Sequence, residues 1–247
     1  MKINKIYNED CLEGMKGIAD GSIDMILCDL PYGVVQCKWD TVIPFEPLWE
    51  QYRRVIKPNG AIVLTASQPF TSALVMSNPR MFKYDWCWQK PKGTGHLNAK
   101  KQPMRDKEDI CVFYASQCTY NPQMTSGMPY KNKAGKNHDT CNSTSDCYGD
   151  YKDFRYDNVG KRYPKQVIKF GVVERGTLHP TQKPVALFEY LIKTYTNPGE
   201  LVLDNCIGSG TTAIACMNTG RNFIGFEMDR GYYDIACKRI EEAKNIK

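Results

Sequence analysis

The chain has 247 residues, 42% of them hydrophobic, with a formal net charge of +6. That length can bury a full core and suits one large domain carrying an insertion better than two equal domains. No run of about 18 apolar residues occurs and Met1 to Ile6 lacks a secretory signal's apolar core, so a cytoplasmic protein without a membrane span is expected.

In chain order, Ile23 to Leu27 reads as a buried strand. The groups that follow it, Asp29, Pro31 and Tyr32, would be displayed at its carboxyl end, the edge where α/β sheets bind ligands. Glu46 to Lys57 has helical spacing and is stopped by Pro58-Asn59-Gly60, after which Ala61 to Thr65 is the next strand. Phe82 to Trp88 and Asp109 to Tyr114, rich in aromatic and branched residues, are two more. From about Ser116 to Gly176 periodicity fades into strings such as "NKAGKNHDTCNSTSD". Tyrosines and basic residues persist there, as in an insertion that carries function. Regularity returns with Pro184 in the first turn of a helix whose apolar face holds Leu187, Leu191 and Ile192, and Asn197-Pro198-Gly199 ends it.

The remainder reads as a βαβ unit. Leu201 to Leu203 is a short strand ending in Asp204, Gly208-Ser209-Gly210 a tight turn, and Thr211 to Asn218 a helix. Phe223 to Phe226 is the second strand, tipped by Glu227, 23 residues after Asp204. Glycines admit close backbone approach by a ligand, and an acid at that tip can accept hydrogen bonds from a ribose. The pattern departs from the dinucleotide fingerprint, because Ala213 stands where its last glycine would be and Asp204 would repel a diphosphate. A cationic or zwitterionic ligand, such as an amino-acid-bearing nucleoside, suits it better. An ordinary βαβ crossover shares the pattern, so the turn alone leaves the ligand open.

Charge is uneven. Lys83 to Lys183 holds 18 Lys/Arg against 10 Asp/Glu, a balance of +8, whereas the rest holds 15 against 17, a balance of −2. The same stretch carries 13 of the 28 aromatic residues. Cations meet phosphates and rings meet bases, so this segment suits a nucleic-acid surface, although a moderately basic soluble surface would look similar. Within it Arg155, Arg162 and Arg175 are candidates for bidentate guanine contacts, and Lys131, Lys133, Lys136 and Lys161 for phosphate contacts. The eleven cysteines are scattered and should be reduced. Cys111 with Cys118 and Cys141 with Cys147 lack the tight pairs of a zinc site, so no metal is expected.

Together these pieces resemble the β group of S-adenosylmethionine-dependent DNA amino-methyltransferases. "DLPY" is similar to that family's D-P-P-Y catalytic motif, and "LDNCIGSGTT" to its cofactor loop. "HPTQKP" matches the string before the helix that packs on the cofactor, and "NEDCLEGM" resembles the segment near the cofactor adenine. The order of the motifs is the β-group order, and the resemblance covers nearly the whole chain outside the insertion. Two departures stand out: Leu30 for the first proline, and Asn205-Cys206 for the usual Pro-Phe.

The resemblance implies an α/β, Rossmann-like, doubly wound, mostly parallel methyltransferase sheet with an inserted target-recognition region. Its parts would be a catalytic half at 1–115, the target-recognition insert at 116–176 and a cofactor-binding half at 177–247. It implies methyl transfer from S-adenosylmethionine to the N6 amine of a flipped-out adenine in double-stranded DNA. Asp29, Pro31 and Tyr32 would be catalytic; Asp10 and Cys11 would lie near the cofactor adenine. Lys183, Asp204, Gly208, Ser209, Gly210 and Thr211 would serve the methionine part, and Glu227 the ribose. Cytosine-N4 methylation shares this geometry and is the nearest alternative; a non-catalytic nucleic-acid-binding module is a more distant one. A restriction–modification setting and a homodimer are both compatible with the family.

Overall fold

The computed structural model describes residues 1–33, 40–131, 142–145, 149–152, 157–172 and 182–245, with 142–145, 149–152 and 157 described by backbone alone. In chain order, β1 (Lys5–Tyr7) leads to a short helix α1 (Cys11–Met15), β2 (Ile23–Asp29), α2 (Phe45–Val55) and β3 (Ile56–Ala66). Next come α3 (Phe70–Ser77), β4 (Phe82–Thr94) and β5 (Arg105–Phe113). Six short strands follow: β6 (Thr125–Ser126), β7 (Tyr130–Lys131), β8 (Asn142–Ser145), β9 (Gly149–Lys152), β10 (Asp157–Asn158) and β11 (Lys161–Arg162). The chain then runs through β12 (Val167–Lys169), α4 (Val185–Tyr195), β13 (Leu201–Asp204), α5 (Thr211–Thr219), β14 (Asn222–Phe226) and α6 (Arg230–Asn245).

Eight strands form one sheet in the order β1-β14-β13-β2-β3-β5-β4-β12. Its pairs are parallel except where β5 lies between β3 and β4. Period-two alternation divides each strand's side chains between two cores. Met25, Leu27, Ala61, Val63, Ile110 and Val112 face the layer built by α4, α5 and α6. Ile26, Cys28, Ile62, Leu64, Cys111 and Phe113 face the layer built by α1, α2 and α3. Each fully buried aliphatic or aromatic side chain contributes roughly 1.5–3 kcal/mol. A one-residue slip would exchange the faces, so register is strongly held. The result is an α/β, doubly wound, mostly parallel sheet. From β13 the chain passes through α5 to β14 on one side, and from β2 through α2 to β3 on the other. The crevice at the carboxyl ends of β13 and β2 is therefore the switch point where such sheets bind ligands.

Three boundaries differ from the sequence pattern. α2 ends at Val55, before Pro58-Asn59-Gly60, because Ile56 is captured by the sheet opposite Ile23. β4 and β5 run past their apolar parts as a paired hairpin reaching Thr94 and Arg105, since ladder hydrogen bonds need no hydrophobic pattern. β12, from the weakly patterned stretch, joins the main sheet beside β4.

The chain separates into two compact units, one comprising 1–121 and 165–247, the other 122–164. In the second unit the pairs β6–β11, β7–β10 and β8–β9 are antiparallel and nested, each enclosing the next, so it is built as an interrupted long hairpin. Among the described residues no helix is long and apolar enough to cross a membrane.

Candidate active site

The carboxyl ends of β2, β13 and β14 open into a cavity of about 890 Å³, within the range of small-molecule sites. Asp10, Cys11, Asp29, Pro31, Tyr32, Lys183, Asp204, Gly208, Ser209, Thr211 and Glu227 all line it. The fold thus brings together residues from four separate motifs. Gly210 lies within the same turn.

At the end of β2, Asp29 is held from several sides. Tyr32 Oη lies 2.8 Å from its Oδ1, the Thr65 hydroxyl donates to the same oxygen, and Lys183 Nζ is 2.8 Å from the carboxylate. The Tyr32 ring stacks on Phe70 at 5.1 Å, so Phe70 covers part of the ring expected to meet a base. Burial and the neighbouring Asp29 push the Tyr32 phenol well above its usual pKa. The Tyr32 and Gly33 N–H groups donate to Asp40 Oδ1 at 2.7 and 2.9 Å, which pins the chain after Pro31. Leu30, in place of the first proline, is buried in the α1–α3 layer.

Lys183, expected to serve the methionine end, lines the same cavity and makes contacts in two directions. Its backbone carbonyl is 3.5 Å from the Thr211 hydroxyl at the turn, but its ammonium reaches Asp29 and also lies 3.2 Å from Glu108 Oε2. Burial alone would lower its pKa; Asp29 and Glu108 outweigh that and raise it. The ammonium goes where two carboxylates offset its desolvation.

At the end of β13 the situation is reversed. Asp204 is 3% exposed and accepts hydrogen bonds from the Cys206 N–H at 3.0 Å and from the Thr212 hydroxyl. These neutral donors do not offset burial, which pushes its pKa up to about 7. Asn205 answers for the second departure. Buried, it accepts the Tyr52 hydroxyl at 2.5 Å and donates toward Cys11 and Cys206 Sγ at 3.6 and 3.5 Å. A satisfied polar network thus stands where the family carries Pro-Phe.

The glycine turn follows. Gly208 and Gly210 adopt φ of +52° and +85°, which side chains rarely tolerate, and a Cβ on Gly210 would lie 3.2 Å from that of Ala236 in α6. Arg239, from the same helix, braces the turn by donating to the Ser209 carbonyl at 3.1 Å. Glu227 accepts the Gly208 N–H at 2.9 Å on one oxygen and the Asp229 N–H at 2.8 Å on the other, with the Met228 N–H also acting on the carboxylate. Burial raises its pKa. Asp10 caps α1, accepting the Leu12 N–H at 2.8 Å, and Cys11 begins that helix, buried beside Asn205.

Several contributors carried no sequence signal beyond position. Thr65 and Glu227 occupy the same kind of strand-end place as Asp29, so Thr65 could have been found by that rule. Glu108 could not, because nothing in the sequence marks β5 as antiparallel.

In the 122–164 unit, Lys131 and Lys161 are exposed. Arg162, expected to read a guanine, makes contacts within its own unit. Its guanidinium donates to Asn158 Oδ1 and to the Met128 and Lys161 carbonyls, and it lies 4.8 Å from the Tyr130 ring. The planar fork supplies several donors at once to these acceptors. Arg155, Arg175, Lys133 and Lys136 lie outside the described residues, as do Cys141, Cys147 and the start of the "HPTQKP" string. Cys111 and Cys118 are buried free thiols.

A mostly parallel sheet with one antiparallel strand, an acid at two adjacent strand ends and a glycine turn beside them has the architecture of a methyltransferase. The chain belongs to the DNA methylase family: residues 23–238 match it. It is similar to the Type II methyltransferases M.BglII of Bacillus subtilis, at 28% identity over 95% of this chain and 68% of that one. M1.MboII of Moraxella bovis is 26% identical over 96% of both chains. Among solved structures, the M1.HpyAVI–SAM complex superposes with a TM-score of 0.64 at 26% identity, covering 95% of this chain and 98% of that one. The cytosine-N4-specific PvuII DNA methyltransferase shares the fold, with a TM-score of 0.67 at 15% identity over 98% and 90% of the two chains.

Proposed function

We propose that this DNA methylase is a site-specific, S-adenosylmethionine-dependent enzyme that methylates the N6 amine of an adenine flipped out of duplex DNA. The observation that carries this reading is the pair of unlike carboxylates at adjacent strand ends, Asp29 and Asp204, in one cavity. Asp204 is buried with neutral partners and a pKa pushed up to about 7, so it suits a ligand that brings its own positive charge. The positive-φ glycines let backbone meet that ligand closely, and the Glu227 carboxylate, which lines the cavity, suits the hydroxyls of a ribose. These residues fit S-adenosylmethionine, which supplies an electrophilic methyl group on a sulfonium. Asp10 and Cys11 border the adenine end in this reading.

An exocyclic amine is a poor nucleophile because its lone pair is delocalised into the base. Asp29 accepts one amine N–H and the Leu30 carbonyl the other, which moves the nitrogen toward a shape with an available lone pair. Pro31 stiffens that backbone, and the Tyr32 ring flanks the base. A base within a duplex cannot reach this cavity, so it is extruded first. Positioning of amine and methyl donor is the main catalytic device. The family's Asp at position 29 favours adenine over cytosine.

The stretch around 116–176, with the nested hairpins of 122–164, is assigned to target recognition. Lys131 and Lys161 suit phosphates, with Lys133 and Lys136; Arg155 and Arg175 remain the guanine readers, while Arg162 braces the hairpin.

Incubating the protein with labelled S-adenosylmethionine and duplex DNA, then analysing nucleosides and mapping methylated positions, tests the proposal. N6-methyladenine within one short sequence is expected. N4-methylcytosine would replace the base and keep the chemistry; no transfer to DNA would overturn both.

A further inference from the structure

Beside Asp29 stands a second carboxylate that no motif marks. Glu108 lies on β5, the strand antiparallel to its neighbours, and so reaches the cavity from the opposite chain direction. Its side chain is 13% exposed and flanked by two ammonium groups: Lys90 Nζ is 2.5 Å from Oε1 and Lys183 Nζ 3.2 Å from Oε2. Lys90 is itself steadied 5.2 Å from the Trp88 ring. With Lys183 at 2.8 Å from Asp29, the four side chains form a line of alternating charge, Lys90, Glu108, Lys183 and Asp29. They come from β4, β5, the residue before Pro184, and β2.

This line bears on the amine chemistry through competition for lone pairs. Asp29 already accepts from Thr65 and contacts Tyr32, so a Lys183 ammonium held entirely by Asp29 would compete with an incoming amine. Glu108 divides that ammonium between two carboxylates. Its Oε2 lies 3.2 Å from the Lys183 ammonium and, among the described residues, has no further hydrogen-bond partner, so it serves as a counter-charge to that ammonium. We propose that Glu108 is a positioning residue for methyl transfer: by sharing the Lys183 ammonium, it leaves Asp29 able to accept the target amine. The inference rests on the reading of Asp29 as amine acceptor.

The experiment is a double-mutant cycle on the full chain, with Glu108→Gln, Lys183→Met and the combination, alongside Glu108→Asp and Asp29→Ala. Single-turnover methylation of duplex DNA and the S-adenosylmethionine dissociation constant are both read. Glu108→Gln should slow methyl transfer by about tenfold or more while cofactor affinity stays within about twofold, which separates it from a cofactor contact. In the Lys183→Met background the same substitution should cost nothing further, because the ammonium it controls is gone. Glu108→Asp keeps the charge and should recover most of the rate, and it decides the matter if the glutamine variant does not fold. A parental rate in Glu108→Gln, an equal loss with and without Lys183, or Glu108→Asp as slow as glutamine would each overturn the proposal. An active Asp29→Ala would instead overturn the reading of Asp29, and the inference with it.

Discussion

Two aspartates end neighbouring parallel strands of one sheet and live in opposite electrostatic worlds. Asp29, at the end of β2, has a lysine within 2.8 Å and a side chain still 21% exposed. Asp204, at the end of β13, is 3% exposed and is met by a hydroxyl and a backbone N–H. The first carries its counter-charge within the protein. The second is met by neutral donors, and burial pushes its pKa up to about 7. Identical residue types at equivalent strand ends thus acquire different environments from what the remaining elements place beside them.

Substitutions at the two ends should therefore separate cleanly. Asp29→Ala should cost the most, about 10²–10⁴-fold in single-turnover methylation as for loss of a catalytic acid–base group, with cofactor affinity within several-fold of the parent. If calorimetry finds cofactor binding lost too, the two ends are not independent.

Glu227→Ala should do the reverse. Hydrogen bonds to charged acceptors are worth about 1.5–3 kcal/mol, so loss of one ribose contact should weaken S-adenosylmethionine about 10- to 100-fold. Methylation measured at saturating cofactor should fall much less. An unchanged dissociation constant in a folded variant would remove Glu227 from the cofactor site.

The smallest expected effect is a pH dependence that belongs to Asp204. Its folded pKa is raised from 3.8 to about 7, so the folded state binds the proton more tightly than the unfolded one. By linkage the stabilisation is present below the unfolded value and is lost as pH rises toward 7. Asp204→Asn should accordingly raise Tm more at pH 8 than at pH 5. Affinity for the cationic cofactor should instead rise as pH increases through about 7, where the carboxylate ionises, and the asparagine variant should lose that slope. Titration calorimetry across this range checks both signs, and a pH-independent affinity in the parent would show that Asp204 does not face the cofactor's charge.

Much of this contrast was readable in the chain itself. Apolar runs ended by Asp29, Asp204 and Glu227 mark strand ends, because a buried strand needs side chains that a charged residue at its tip does not supply. The glycine turn was equally legible, since Gly208 and Gly210 are required at positive φ. The sequence pattern also told that the polar stretch after Ser116 stands apart from the sheet-forming regions, though not that β12 returns to the sheet or that Arg162 is bound up in its own hairpin.

What local pattern could not hold was the identity of neighbours brought together from distant segments. Glu108 meets Lys183 across 75 residues of chain because β5 runs antiparallel, and the direction of a strand leaves no mark on its hydrophobic period. The ammonium of Lys183 meets Asp29 and Glu108 for the same reason: a buried ammonium goes to the nearest carboxylates, and the fold decides which those are. Composition and periodicity determined which residues stand at the edge of the sheet. Tertiary packing decided which charges face one another there, because electrostatic energies depend on through-space distance and burial, which the order of residues along the chain does not encode.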